Sequence, residues 1–151
     1  MFVETYLHHN PQDTIPTSVM DDVSNCLNQI KQAECQITQK YRARILHGLS
    51  KSGWSKNVRV SVESRISITG KLGSIGLCVQ TGNMGRFYAD LLKLQAMFNH
   101  NDLSAAIYIV PRMHFAKRMN QNLANYERLT KELLIFDSVI TVPIVVFGVG
   151  G

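Results

Sequence analysis

The chain has 151 residues, 45% of them hydrophobic and 18% charged, which is enough for one compact domain with a real core and too few for two comfortable ones. Sixteen Lys and Arg against eleven Asp and Glu give a net charge of +5, a balance that suits an anionic partner without requiring one. Cys26, Cys35 and Cys78 show no CxxC spacing, so neither a zinc site nor a disulfide framework is signalled, and a reduced cytoplasmic setting is expected. Met1 to Leu7 lacks the basic and apolar regions of a secretory signal, and no apolar run approaches the roughly 20 residues needed to span a bilayer.

Phe2 to Leu7 reads as a short strand closed by the polar His8-His9-Asn10-Pro11 stretch. Val19, Val23, Leu27, Ile30, Ala33 and Ile37 then recur at steps of three and four. With Ser18 and Asp21 as a capping box, they predict a long amphipathic helix over Ser18 to Lys40, and a second helix is expected over Tyr41 to Leu49, stopping before Gly53. Val58, Val60 and Val62 alternate with polar residues, as do Ile66 and Ile68, which is the pattern of half-buried strands. A turn at Gly70 to Gly73 follows. Ile75, Leu77 and Val79 then face one way and Gly76, Cys78 and Gln80 the other, so two antiparallel strands are expected to present a polar edge side by side.

Thr81-Gly82-Asn83 breaks that strand, and Phe87, Leu91, Leu94 and Phe98 mark the apolar face of a helix packed against the sheet. Ala105 to Val110 is a continuous apolar run ending at Pro111, as in a buried central strand, and Pro143 to Val149 repeats it. Helices over Phe115 to Asn120 and Asn125 to Phe136 lie between them. The order of elements predicts an α/β domain over residues 1–151, a mixed sheet with helices around it.

The run Ile75-Gly76-Leu77-Cys78-Val79-Gln80-Thr81-Gly82-Asn83, followed by Tyr88-Ala89-Asp90-Leu91-Leu92-Lys93, resembles the BglII/BstYI restriction endonucleases of the PD-(D/E)XK nuclease superfamily. Their active-site strand reads Glu-x-Gln before a small loop and a helix. The early amphipathic helix with Ala33-Glu34-Cys35, the Gly53-Trp54 step, the strand ending Ile109-Val110-Pro111 and the closing Val142 to Gly148 segment fall in the family's order. The resemblance implies a restriction-endonuclease-like sheet flanked by helices and a type II site-specific deoxyribonuclease of a restriction-modification system. It further implies a homodimer on double-stranded DNA, at a palindromic GATC-containing site, with Mg²⁺-dependent phosphodiester hydrolysis.

In that family a strand Asp and the Glu of Glu-x-Gln hold Mg²⁺, because a hard cation wants anionic oxygen, and the following Gln positions the attacking water. Carried over residue by residue, the Glu position is Cys78 and the Gln is Gln80. Nine residues before Cys78 stands Thr69 at the Asp position, or Ser67 if the turn is longer. None of the replacements is a carboxylate, and Glu34 and Glu63 are the acidic residues that would supply a displaced one, with Glu63 and Cys78 as the candidate metal ligands. Thr81, Asn83 and Arg86, at the loop and helix start, are candidates for base and phosphate contacts.

The plainer readings stand beside these. Cys78 also reads as a small buried strand residue, and the five histidines as surface or satisfied core groups; nothing in the sequence places one beside Cys78 to make a Cys-His enzyme. Asp90 and Lys93 read as a solvated ion pair one turn apart. A second functional class also follows from the missing acids: a catalytically inactive nuclease-fold module that holds DNA or a partner protein without cutting.

Overall fold

The computed structural model describes residues 3–30, 38–120 and 122–150. Six strands, β1 (Val3–His8), β2 (Ser55–Arg59), β3 (Ser67–Leu72), β4 (Ile75–Val79), β5 (Ala105–Pro111) and β6 (Ile144–Val149), form one sheet in the order β1-β6-β5-β4-β3-β2. The central β4, β5 and β6 are parallel, and antiparallel strands complete both edges. Five helices surround the sheet: α1 (Thr17–Asn28), α2 (Thr38–Ser50), α3 (Gly85–Asn99), α4 (Met113–Met119) and α5 (Tyr126–Ile135). This is the mixed, helix-flanked sheet the sequence predicts.

Period-two alternation in the strands sorts the core into two layers. Ile75, Leu77, Val79, Ile107, Ile109, Val145 and Phe147 face the side covered by Val23, Leu27, Tyr41, Ile45 and Phe115 of α1, α2 and α4. Cys78, Ala106, Tyr108, Val110, Ile144 and Val146 face the side covered by Phe87, Leu91, Leu94, Leu129 and Leu133 of α3 and α5. Both faces of the three parallel strands are therefore dry, which is why β5 and β6 read as unbroken apolar runs.

Several expectations change. The long early helix stops at Asn28 and a separate helix starts at Thr38; residues 31–37, with Ala33, Glu34 and Cys35, lie outside the described residues. Its start is set by Pro16, whose carbonyl receives the amides of Val19 and Met20, and the Ser18–Asp21 capping box does not form. The Val58-Val60-Val62 alternation also ends early. A tight turn, with the amide of Ser64 on the carbonyl of Ser61 and the amide of Glu63 on Ser61 Oγ, leaves Val62 90% exposed. The expected turn at Gly70 to Gly73 shrinks to Gly73-Ser74, because Gly70, Lys71 and Leu72 pair with Leu77, Gly76 and Ile75. Gly73 takes the left-handed φ of 58° that this two-residue connection needs.

The last change bears on the site. The expected polar edge of β3 and β4 is not there: all five residues of β4 are buried, and Cys78 faces the apolar layer under α3. A Cβ on Gly76 would collide with Leu94 and Leu103, so that face of the strand is occupied by helix rather than solvent.

Candidate nucleic-acid interface

The end of β4 and the loop that follows it open onto a cleft of about 410 Å³, lined by β2, β3, β4, α2 and α3. Gln80 stands at its floor. The Gln80 amide still bonds the carbonyl of Ile109 at 2.9 Å, extending the parallel ladder by one residue. Its side chain is committed at both ends: Nε2 donates to Asp90 Oδ2 at 2.5 Å and Oε1 accepts the amide of Gly82 at 2.9 Å. Gln80 thereby ties the Thr81-Gly82 loop to the first turn and a half of α3.

Asp90 is the residue that sequence reasoning missed. It is only 9% exposed, and its Oδ2 also accepts the Tyr108 hydroxyl at 2.7 Å. Lys93 Nζ lies 3.9 Å from the other oxygen. Burial first, and the Asp90 charge second, push the Tyr108 hydroxyl well above its ordinary pKa, so it stays a proton donor. A signal for Asp90 was present: it stands three after Phe87 and four before Leu94, inside the apolar stripe of α3, where a solvated carboxylate does not belong.

The other candidates separate. Thr69 and Ser67 do line the cleft, and Thr69 Oγ1 accepts the amide of Val79 at 3.0 Å. Cys78 lies beneath it, 1% exposed, its thiol pushed well above the usual range by burial and then by Asp90. A thiol so placed is a poor nucleophile and a poor ligand. Glu63 is exposed in the turn between β2 and β3 and is not among the cleft residues. Glu34 lies outside the described residues.

Among the described residues three cationic side chains line the cleft: Arg42 from α2, and Arg86 and Lys93 from α3. Arg42 had no local signature, since a helix brings it there from a distant part of the chain. Arg86 also walls a second cleft of about 410 Å³, lined by Thr38, Thr81, Asn83, Asn120 and Asn122 among others. The fold thus brings Thr81, Asn83 and Arg86 together, in a groove rich in amide and hydroxyl groups that can address base edges. The Asn83 segment is pinned there by a bridge to Leu123 and by the Met84 amide on the carbonyl of Asn122.

This donor set does not fit Mg²⁺. The ion wants several oxygens, usually with one or two carboxylates, at close octahedral distances. Among the described residues that line the cleft Asp90 is the one carboxylate, and its Oδ2, Gln80 Oε1 and Thr69 Oγ1 already accept protein hydrogen bonds. Three cations around one carboxylate make the cleft a place for an anion.

Comparison with known proteins agrees with this architecture. The crystal structure of the restriction endonuclease BglII complexed with a DNA 16-mer superposes on the whole chain with a TM-score of 0.85 at 13% identity, covering 79% of that protein. Free BglII superposes with a TM-score of 0.70 at 15% identity, over all of this chain and 80% of that one. At these identities the likeness is one of fold. No curated protein matches the sequence. The sequence model described as restriction endonuclease BglII/BglIII matches residues 3–149, and the chain belongs to that restriction endonuclease family.

Proposed function

We propose that the chain is a duplex-DNA-binding protein of the type II nuclease lineage that keeps the phosphate-holding half of the family's site and has lost its metal-holding half. One observation carries this reading: among the described residues, Arg42, Arg86 and Lys93 line one cleft with a single carboxylate, Asp90, that Gln80 and Tyr108 already occupy. A DNA phosphate brings its own negative charge and accepts hydrogen bonds from guanidinium and ammonium groups, so it suits this cleft without a bridging ion. Thr81, Asn83 and Arg86 would then reach base and backbone atoms in the adjoining groove, and a GATC-containing palindrome is the sequence to try first.

The reading extends to a homodimer. An apolar groove lined by Tyr88, Leu91, Leu92, Phe136, Val139 and Ile140 lies between α3 and the end of α5, with Leu92 and Val139 more than half exposed. Such a surface is stable in water when another apolar face covers it. Sedimentation of the purified chain should give twice the monomer mass.

Magnesium-dependent cleavage in a restriction-modification system is the second reading, favoured by the buried Asp90 next to Gln80 at the end of the motif strand. The two part in one experiment. Purified protein should retard duplex DNA in the presence of EDTA and leave supercoiled plasmid intact with Mg²⁺ or Mn²⁺. Discrete cleavage bands that vanish in Gln80→Ala would sink the leading reading and establish the second.

A further inference from the structure

On the opposite edge of the sheet, β1 ends in two adjacent histidines. In an extended strand neighbouring side chains point to opposite faces, yet here the rings lie together, centroids 4.4 Å apart and nearly perpendicular. The backbone explains it: His9 and Asn10 both take left-handed φ values, 55° and 54°, which folds the His9 ring back beside His8. Non-glycine residues adopt that conformation at a cost, and the result is that both rings face the segment between α5 and β6.

We propose that His8, His9 and Asp137 form a binding site for a divalent transition cation of the zinc class. One ring nitrogen from each histidine and a carboxylate oxygen of Asp137 lie within 4.8 Å of one another. His9 Nε2 is 3.2 Å from Asp137 Oδ1, close to the roughly 3.3 Å edge of a tetrahedron whose ligands stand about 2.0–2.1 Å from zinc. His8 Nε2 donates to the carbonyl of Ile140 at 2.5 Å. A ring N–H held by a backbone carbonyl fixes the tautomer and frees the other nitrogen, the arrangement that orients metal-bound histidines. His8 is buried, 2% exposed, so its ring is held in place by the fold.

Two imidazoles and one carboxylate select zinc, cobalt or nickel over magnesium or calcium. His9 and Asp137 reach the surface, which gives the ion a route in and leaves a fourth position to water. Occupancy exchanges the His9 contacts with Asp137, 2.8 Å to its carbonyl and 3.2 Å to its carboxylate, for metal bonds. It also clips the end of edge strand β1 to the segment leading into β6, so the metal favours the folded chain.

The test is a Co²⁺ titration of the full chain without a histidine tag, followed by absorption, and a thermal melt with and without Zn²⁺. One equivalent of Co²⁺ should bind with the intense visible bands of a four- or five-coordinate nitrogen site, and Zn²⁺ should raise the melting temperature. His9→Ala and Asp137→Asn, both surface changes, should each weaken binding at least tenfold, while His100→Ala, on an exposed residue elsewhere, should leave it unchanged. Absence of saturable binding at millimolar metal overturns the proposal. So does a weak octahedral spectrum that survives His9→Ala, which would put the ion on oxygen ligands elsewhere.

Discussion

If the cleft grips DNA as an anion site, its cations set how steeply affinity falls with salt. Each phosphate neutralised contributes about 0.9 to the slope of log K against log salt on B-form DNA. Arg42 and Arg86 enter the cleft from two different helices, so Arg42→Ala/Arg86→Ala should flatten the slope by about 1.8. Over a fourfold rise in salt, one phosphate contact is worth about 3.5-fold in affinity and two about twelvefold. The ratio of wild-type to variant affinity should therefore shrink about twelvefold between about 50 and 200 mM salt. Fluorescence anisotropy of a labelled duplex over that range, in EDTA, gives both slopes directly. Parallel lines would mean that these arginines do not meet the DNA backbone, and the cleft would lose its assigned role even if the protein still bound DNA.

Tyr108→Phe removes one of the two hydrogen bonds to Asp90 Oδ2 and should cost about 1.5–3 kcal/mol in urea denaturation, the range for a bond to a buried charge; a loss under about 0.5 kcal/mol would mean that water replaces it. Stability should fall at both ends of the pH scale. On the acid side the His8 pKa is lower folded than unfolded, so the unfolded chain takes up the extra proton and stability drops as pH falls below about 6.5. On the alkaline side Cys78 and Tyr108 are raised, so the unfolded chain loses protons first and stability drops as pH climbs past about 9 and then about 10. Melting curves across pH in a chelator check both limbs, and a flat acid limb refutes the first. Iodoacetamide should leave Cys78 unmodified in the native protein while the half-buried Cys26 reacts slowly; rapid native labelling of Cys78 by mass spectrometry would revive a thiol chemistry.

The framework was legible because hydrophobic period encodes it. The runs at 105–110 and 143–149, the Phe87-Leu91-Leu94 stripe and the hairpin before it all gave elements of the expected kind within a few residues. What the sequence hid is what distance in the chain hides. Period two told which β4 residues share a face, but not that α3 would lie over the face of Cys78. The resembled family's spacing pointed to Thr69, and in the fold Thr69 Oγ1 accepts the Val79 amide. Arg42 reaches the cleft through helix packing, and Tyr108 reaches Asp90 from beneath it through parallel strand pairing, neither of which leaves a local mark. Asp90 did leave one, and its proximity to Lys93 drew attention to the commoner surface ion pair.

The sealing of Cys78 beneath α3 also limits where this chain can go by mutation. A glutamate at that position would have to place its carboxylate in a dry layer beside Asp90, two negative charges with no ion between them, a burial that typically costs several kcal/mol. An aspartate at Thr69 would give up the hydroxyl that holds the Val79 amide. On the proposed reading neither single step would regain metal binding and the first would lose stability, so the road back to a two-carboxylate nuclease would require both changes and the cation at once. On that reading the thiol works like a ratchet tooth: a small residue that, once the helix has closed over it, would hold the protein on the non-metal side of its family.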